Sequence, residues 1–231
     1  MKRFCYEYPH PAVATDTAVF TLRDGELHVA LIRRGQDPFK GKLALPGGFL
    51  EEDEDLDSCA ARELKEETGM KGVRLHHFSN FSDPKRDPRE RVISVAYLAL
   101  VPSDNTQLVA GSDAAQVEWV PMSKICQGRQ PRIGAELAFD HSIILGQALS
   151  VLCERSVNTD IVLGSLPHKF TLSQMRAAIE AIVRWNPIGP RRLDKRRFGR
   201  WIRNTKLVRK TAGISLTRPR PAQLYTRRRV W

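Results

Sequence analysis

The sequence predicts an α/β domain, a mixed sheet with helices on its faces, followed by a smaller basic helical module. Three observations carry this reading. Strand-like and helical runs alternate over the first 150 residues. A breaker-rich turn at Ala44-Leu45-Pro46-Gly47-Gly48 and an acidic segment open a helix at Leu56. The charge also changes sign along the chain: residues 1–150 carry 18 Lys+Arg against 22 Asp+Glu, whereas residues 151–231 carry 19 against 4. The net charge of +11 therefore belongs to the C-terminal part, where a basic block points to a nucleic-acid-facing module.

The elements follow in order. Ala12 to Leu22 is rich in Val, Thr and Phe and ends at Asp24-Gly25, a dipeptide suited to a type I′ hairpin, after which Leu27 to Arg33 resumes an apolar run. Leu56 to Thr68 has helical spacing, is closed by Gly69, and has Asp53 or Asp55 as its N-cap. Strands are expected at Val73–Phe78, Val92–Val101 and Val117–Val120, then a helix over His141–Cys153. Asn158 to His168 reads as a linker, with the boundary near residue 160 and domains over residues 1–155 and 156–231. Thr171-Leu172-Ser173-Gln174 has the form of a capping box, and Leu172, Met175, Ile179 and Ile182 recur on one helical face. A Pro/Gly break at Pro187–Pro190 precedes a second helix starting near Asp194.

Several classes are excluded by composition. The longest uncharged apolar stretch, Val92 to Val101, is about half of the ~20 residues a spanning helix needs, so no membrane span is expected. Met1 to Pro11 has no apolar run of the kind a secretory signal requires. The four cysteines are dispersed, with no CxxC pair, which fits a reducing, cytoplasmic setting without a zinc site or disulfide framework.

The acidic helix carries the chemistry. At about 100° per residue, Leu56, Cys59, Ala60, Glu63 and Glu67 fall on one stripe, so the apolar face continues into carboxylates. Charge on an inward face needs a partner, and a hard divalent cation with oxygen ligands is the natural one. Glu66 lies at the edge of the same face, and Arg62, four residues before it, is placed to orient it. Gly47 and Gly48 permit a close backbone approach ahead of the helix.

The pattern Gly48-x5-Glu54-x7-Arg62-Glu63-Leu64-x-Glu66-Glu67-x-Gly69-Met70 resembles the signature of the Nudix superfamily at every fixed position. The resemblance spans about residues 12 to 150 and implies the Nudix α/β/α sandwich. It also implies Mg²⁺ (Mn²⁺ as a substitute) held by Glu63, Glu66 and Glu67, with Arg62 and Glu54 in support. The loop Asp83 to Arg91, Pro46-Gly47-Gly48-Phe49 and Ala138-Phe139-Asp140-His141 resemble the ADP-ribose-handling branch. There Arg86 and Arg89 are expected to clamp a pyrophosphate through bidentate guanidinium contacts. Hydrolysis would give AMP and ribose 5-phosphate, with Glu118 or Glu136 as the general base.

In the C-terminal module, Phe198, Trp201 and Ile202 share one face of a helix and Arg196, Arg200 and Arg203 the opposite one. Such a helix suits a DNA major groove, with Arg197 adjoining the arginine face. Leu207–Thr211 and Ala222–Thr226 read as two strands joined by a loop bearing Arg218 and Arg220, which gives a winged helix-turn-helix order. Arg220-Pro221-Ala222-Gln223-Leu224-Tyr225 resembles the wing of the Nudix-related transcriptional regulators of NAD metabolism. This implies a homodimeric regulator that binds double-stranded DNA under the control of ADP-ribose. The competing expectation is a Mg²⁺-dependent ADP-ribose hydrolase with no regulatory role.

Overall fold

The computed structural model describes residues 7–103, 108, 114–127, 132–133, 136–186, 193–215 and 221–228. Strand β1 (Ala12–Arg23) turns at Asp24 and Gly25, both at positive φ, into β2 (Glu26–Arg34), the hairpin expected from that dipeptide. β3 (Leu43–Ala44) and β4 (Gly47–Phe49) flank the Pro46 turn, and β4 pairs with β1. Helix α1 (Leu56–Thr68) follows, then β5 (His76–Phe81), β6 (Val92–Val101) and β7 (Ala114–Pro121). These strands form one seven-stranded mixed sheet ordered β3-β2-β1-β6-β5, with β4 on β1 and β7 on β2. β1 and β6 run parallel at its centre, and both are buried almost throughout.

Local signals set the boundaries of α1. Asp55 caps the first turn, its carboxylate accepting from Ser58 N–H at 2.8 Å, and Gly69 ends the helix at φ 76°. A short helix α2 (Met122–Ile125) and the small pair β8 (Cys126–Gln127) and β9 (Arg132–Ile133) lead towards α3 (His141–Asn158), which is longer than expected. Cys59, Cys126 and Cys153 are buried free thiols. Among the described residues no helix is long and apolar enough to cross a membrane.

The segment expected to be a linker is folded. Ile161–Ser165 forms a 3₁₀ helix whose Ile161, Val162 and Leu163 are buried in the same cluster as Leu100 and Leu149. Three consecutive apolar residues there are core, because the chain turns directly under the sheet. Next come β10 (Phe170–Thr171), α4 (Leu172–Val183), α5 (Lys195–Asn204), β11 (Val208–Ser215) and β12 (Ala222–Arg227). The last strands make a three-stranded sheet ordered β10-β12-β11, the winged-helix arrangement. Thr171 and Gln174 form the capping box reciprocally.

Candidate ligand pocket and DNA-facing helix

The inward stripe of α1 buries Cys59, Ala60 and Leu64 and then presents half-buried Glu63 and Glu67, while Glu66 is exposed. Arg62 gathers the carboxylates around it. It donates to Glu54 at 2.6 and 3.0 Å, to Glu63 at 2.7 Å and to Glu66 at 3.2 Å. These hydrogen bonds hold the Glu54 carboxyl down at about 2. Glu67 instead accepts the Gly47 amide at 2.9 Å. Burial pushes its pKa up to about 8 against that hydrogen bond, with Glu63 and Asp16 adding repulsion. Burial likewise raises Glu63. Gly47 is required by a backbone contact, whereas Gly48 faces the movable end of the Glu63 side chain. A Cβ at Gly48 would stand 2.2 Å from Glu63 Oε1, and one at Gly47 would stand 2.0 Å from the Thr15 carbonyl oxygen.

This donor set fits a hard divalent cation. It offers carboxylate oxygens one turn apart on one face, and two of them are raised by burial and mutual repulsion that positive charge would relieve. Among the described residues, however, no three His, Cys, Asp or Glu side chains converge as a formed metal shell. Glu63 and Glu66 are turned onto Arg62, and Glu67 onto the Gly47 amide.

Beside this face lies a small pocket lined by Asp16, Arg34, Gly47, Gly48, Phe49, Arg86, Arg89, Phe139 and His141, among others. The two arginines expected to clamp a pyrophosphate differ sharply. Arg86 is 4% exposed, bidentate to Asp140 at 2.7 and 3.0 Å and bonded to Asp16 at 3.0 Å. Its guanidinium is held by these two aspartates while the residue also lines the pocket. Arg89 is 42% exposed, leans on Asp87, and lies over the rings of Phe49 and Phe139 at 5.1 and 5.6 Å. Arg34 lies over Phe139 at 4.8 Å.

Sequence reasoning missed Asp16 and Arg34. Asp16 is buried and accepts from Arg86, from Ser94 and from His141 Nε2 at 3.2 Å. Burial opposes its charge, but His141, Arg86 and Ser94 outweigh that and hold the carboxyl well below the usual range. His141 Nδ1 accepts the Leu45 amide at 2.9 Å, which leaves the ring proton on Nε2, facing Asp16. One available signal was a charged residue inside the otherwise uncharged run Ala12–Leu22. Glu118 and Glu136, the two general-base expectations, pair with Arg33 at 3.5 Å and Lys42 at 3.0 Å, outside this pocket.

In the C-terminal unit, Asp194 caps α5 by accepting the Arg197 amide at 2.7 Å. Phe198 is buried and packs on Trp201, while Arg196, Arg197, Arg200 and Arg203 are exposed. Among the described residues none of these four forms an ion pair. Arg197 also lines a cavity of about 430 Å³ with Val157, Ile179, Phe198 and Trp201. A cleft between α4 and α5 brings Arg196 beside Arg176, Arg184 and Lys195, cations not picked out from the sequence. Arg218 and Arg220 lie outside the described residues.

Two family models match: the NUDIX domain over residues 13–138 and the NrtR DNA-binding winged helix domain over residues 162–226. The chain is 33% identical over 222 residues to the ADPR responsive transcriptional repressor NtrR of Acinetobacter baylyi, covering 95% of this chain and 83% of that one. This protein belongs to the NrtR family of Nudix proteins. Its fold superposes on Shewanella oneidensis NrtR complexed with a 27mer DNA with a TM-score of 0.78, at 28% identity and over 94% and 93% of the two chains. The Nudix domain of that protein, complexed with ADP ribose, matches with a TM-score of 0.56 at 29% identity, over 63% of this chain and 90% of that one. The NrtR match spans both units of the chain, so the pocket beside α1 and the arginine face of α5 belong to one family architecture.

Proposed function

We propose that this protein is a DNA-binding transcriptional repressor of NAD metabolism, relieved by ADP-ribose bound in its Nudix domain. The observation that carries this is the joining, on one NrtR-type chain, of a guanidinium-edged pocket to a helix whose exposed arginines form no ion pair among the described residues. Residues 1–155 form the sensor and residues 156–231 the DNA-binding unit. In the pocket, Arg89 and Arg34 supply the cationic edge for a pyrophosphate, and Gly47 and Gly48 let it approach the backbone. Arg196, Arg200 and Arg203 meet phosphates or guanine edges, Arg197 flanks them, and a homodimer reads paired half-sites.

Nudix hydrolases use a divalent metal. Here Glu63, Glu66 and Glu67 would hold Mg²⁺ or Mn²⁺, which would supply Lewis acidity at the pyrophosphate. Arg62 orients Glu63 and Glu66 from one side, and the Gly47 amide holds Glu67 from the other. The complete signature favours a second reading, a metal-dependent ADP-ribose hydrolase. A nucleotide panel scored for both melting shift and product release discriminates the two. ADP-ribose is expected to raise the melting temperature and to release the protein from duplex DNA. Rapid AMP formation with no duplex binding at moderate salt would instead establish the hydrolase.

A further inference from the structure

The pocket beside α1 is narrow: its open space is about 50 Å³, against the ~300–1,000 Å³ of typical small-molecule sites, so a nucleotide seated in it would press on the lining side chains. Phe139 is part of that lining. Its ring lies against Phe39 at 4.8 Å and His141 at 5.3 Å and beneath the guanidinium groups of Arg34 and Arg89. Its backbone sits at φ 52°, a region that a bulky residue holds only under constraint from its surroundings. The next two residues are Asp140, which grips Arg86, and His141, the first residue of α3. Displacing Phe139 therefore acts on the start of α3.

Two rigid elements run from this end of the pocket to the winged helix. Helix α3 extends about 27 Å at ~1.5 Å per residue. Towards its far end the Cys153 thiol donates to the Ile182 carbonyl of α4 at 3.4 Å, within the cluster that holds Leu149, Leu152, Ile179 and Phe198 of α5. Strand β6 starts at the pocket with Ser94 bonded to Asp16. Six residues on, about 20 Å away, the Leu100 carbonyl presses on the 3₁₀ helix so closely that a Cβ at Gly164 would stand 2.2 Å from it. Both elements are tied together at the pocket by Asp16, through His141 and Ser94.

We infer that ligand occupancy is transmitted to the recognition helix α5 through these two elements, with Asp16 as the positioning residue at the pocket end and the Gly164–Leu100 contact as the anchor at the other. Packed interfaces of this kind shift between discrete arrangements instead of deforming smoothly, so a displacement at Phe139 is carried along α3 without being absorbed. The inference rests on the reading of the protein as an ADP-ribose-responsive DNA binder.

Gly164→Ala in the full chain tests it, because this site touches neither the pocket nor α5. The probes are a fluorescent duplex enriched by the wild-type protein from a random pool and the methylene-bridged, non-hydrolysable analogue of ADP-ribose. In the wild type the analogue is expected to weaken duplex binding by about 5- to 150-fold. In Gly164→Ala, ligand affinity by calorimetry and duplex affinity without ligand should be retained, while the ligand effect falls below about twofold. A folded variant that keeps the full wild-type effect overturns the inference and leaves the functional reading intact. A wild type with no ligand effect overturns both. Should the variant fail to fold, amide exchange of the wild type decides: the analogue should alter protection of residues 161–165 and of the second half of α3. A change confined to the pocket, alongside an intact effect on DNA affinity, overturns the inference.

Discussion

Helices α1 and α5 each carry one strongly charged face, and the two faces are neutralised in opposite ways. On α1, Arg62 sits among Glu54, Glu63 and Glu66 within hydrogen-bonding distance, so most of the charge has an internal partner. On α5, the exposed Arg196, Arg197, Arg200 and Arg203 form no ion pair among the described residues. Internally paired charge fixes geometry for a small ligand, and unpaired like charge calls for a partner as large and as anionic as a nucleic acid. The same contrast separates Arg86 from Arg89 within one loop: the first is buried between two aspartates, the second half-exposed over two phenylalanine rings.

The strongest way to break that contrast is to remove Arg86. Its loss leaves Asp16 and Asp140 close together without their shared guanidinium, and uncompensated buried charge of this kind costs about 3–5 kcal/mol. We expect Arg86→Ala to lower the melting temperature by roughly 6–20 °C in a chain of this size. Arg89→Ala should leave the melting temperature nearly unchanged and weaken ADP-ribose binding instead. Equal melting losses in the two variants would mean that the buried and exposed arginines are not distinct in role.

Smaller, and on the other helix, is the effect of replacing Arg196, Arg200 and Arg203 together by Gln. Thermal stability should stay as it is, since all three are exposed and none forms an ion pair among the described residues. Duplex affinity should fall by about a hundredfold, and the slope of log K against log salt should flatten by about 2–3 per protomer, as expected when that many phosphate contacts are lost. An anisotropy titration that shows unchanged affinity and slope would remove α5 as the DNA-facing element.

How much of this was legible in the sequence follows from the range of the interactions. Features fixed by neighbours a few residues apart were readable: the Asp24-Gly25 hairpin, the Asp55 and Gly69 ends of α1, the Thr171/Gln174 capping box and the two faces of α5. The run Val92–Val101 coincides with β6, whereas the strand expected at Val73–Phe78 lies at His76–Phe81, where pairing with β6 decides the register. The fate of Arg86 was not readable, because its partners Asp16 and Asp140 are 70 and 54 residues away and are brought to it by the sheet. For the same reason Ile161–Leu163 passed for a linker: nothing local indicates that the underside of β6 covers it.

The smallest expected effect concerns acid, and it singles out the Asp16 node. The Asp16 carboxyl is held well below its ordinary value, despite a burial penalty, by His141, Arg86 and Ser94. A carboxylate with a depressed folded pKa contributes stability that is fully present above its unfolded pKa of about 3.9 and is lost as the pH falls towards the folded value. In that window the unfolded chain binds one more proton than the folded one at this site, so Asp16 alone should give a slope of about 1.4 kcal/mol per pH unit. Near neutral pH it gives none. The check is a series of denaturant melts between pH 5 and the acid limit for the wild type and for Asp16→Asn, which is uncharged at every pH. The variant is expected to be less stable at neutral pH, because Arg86 loses a buried anion, and to show a shallower acid slope by about one proton. Parallel acid slopes in the two proteins would mean that Asp16 titrates as an ordinary carboxylate, and the buried node would then lose its place as the contrast to the exposed arginines of α5.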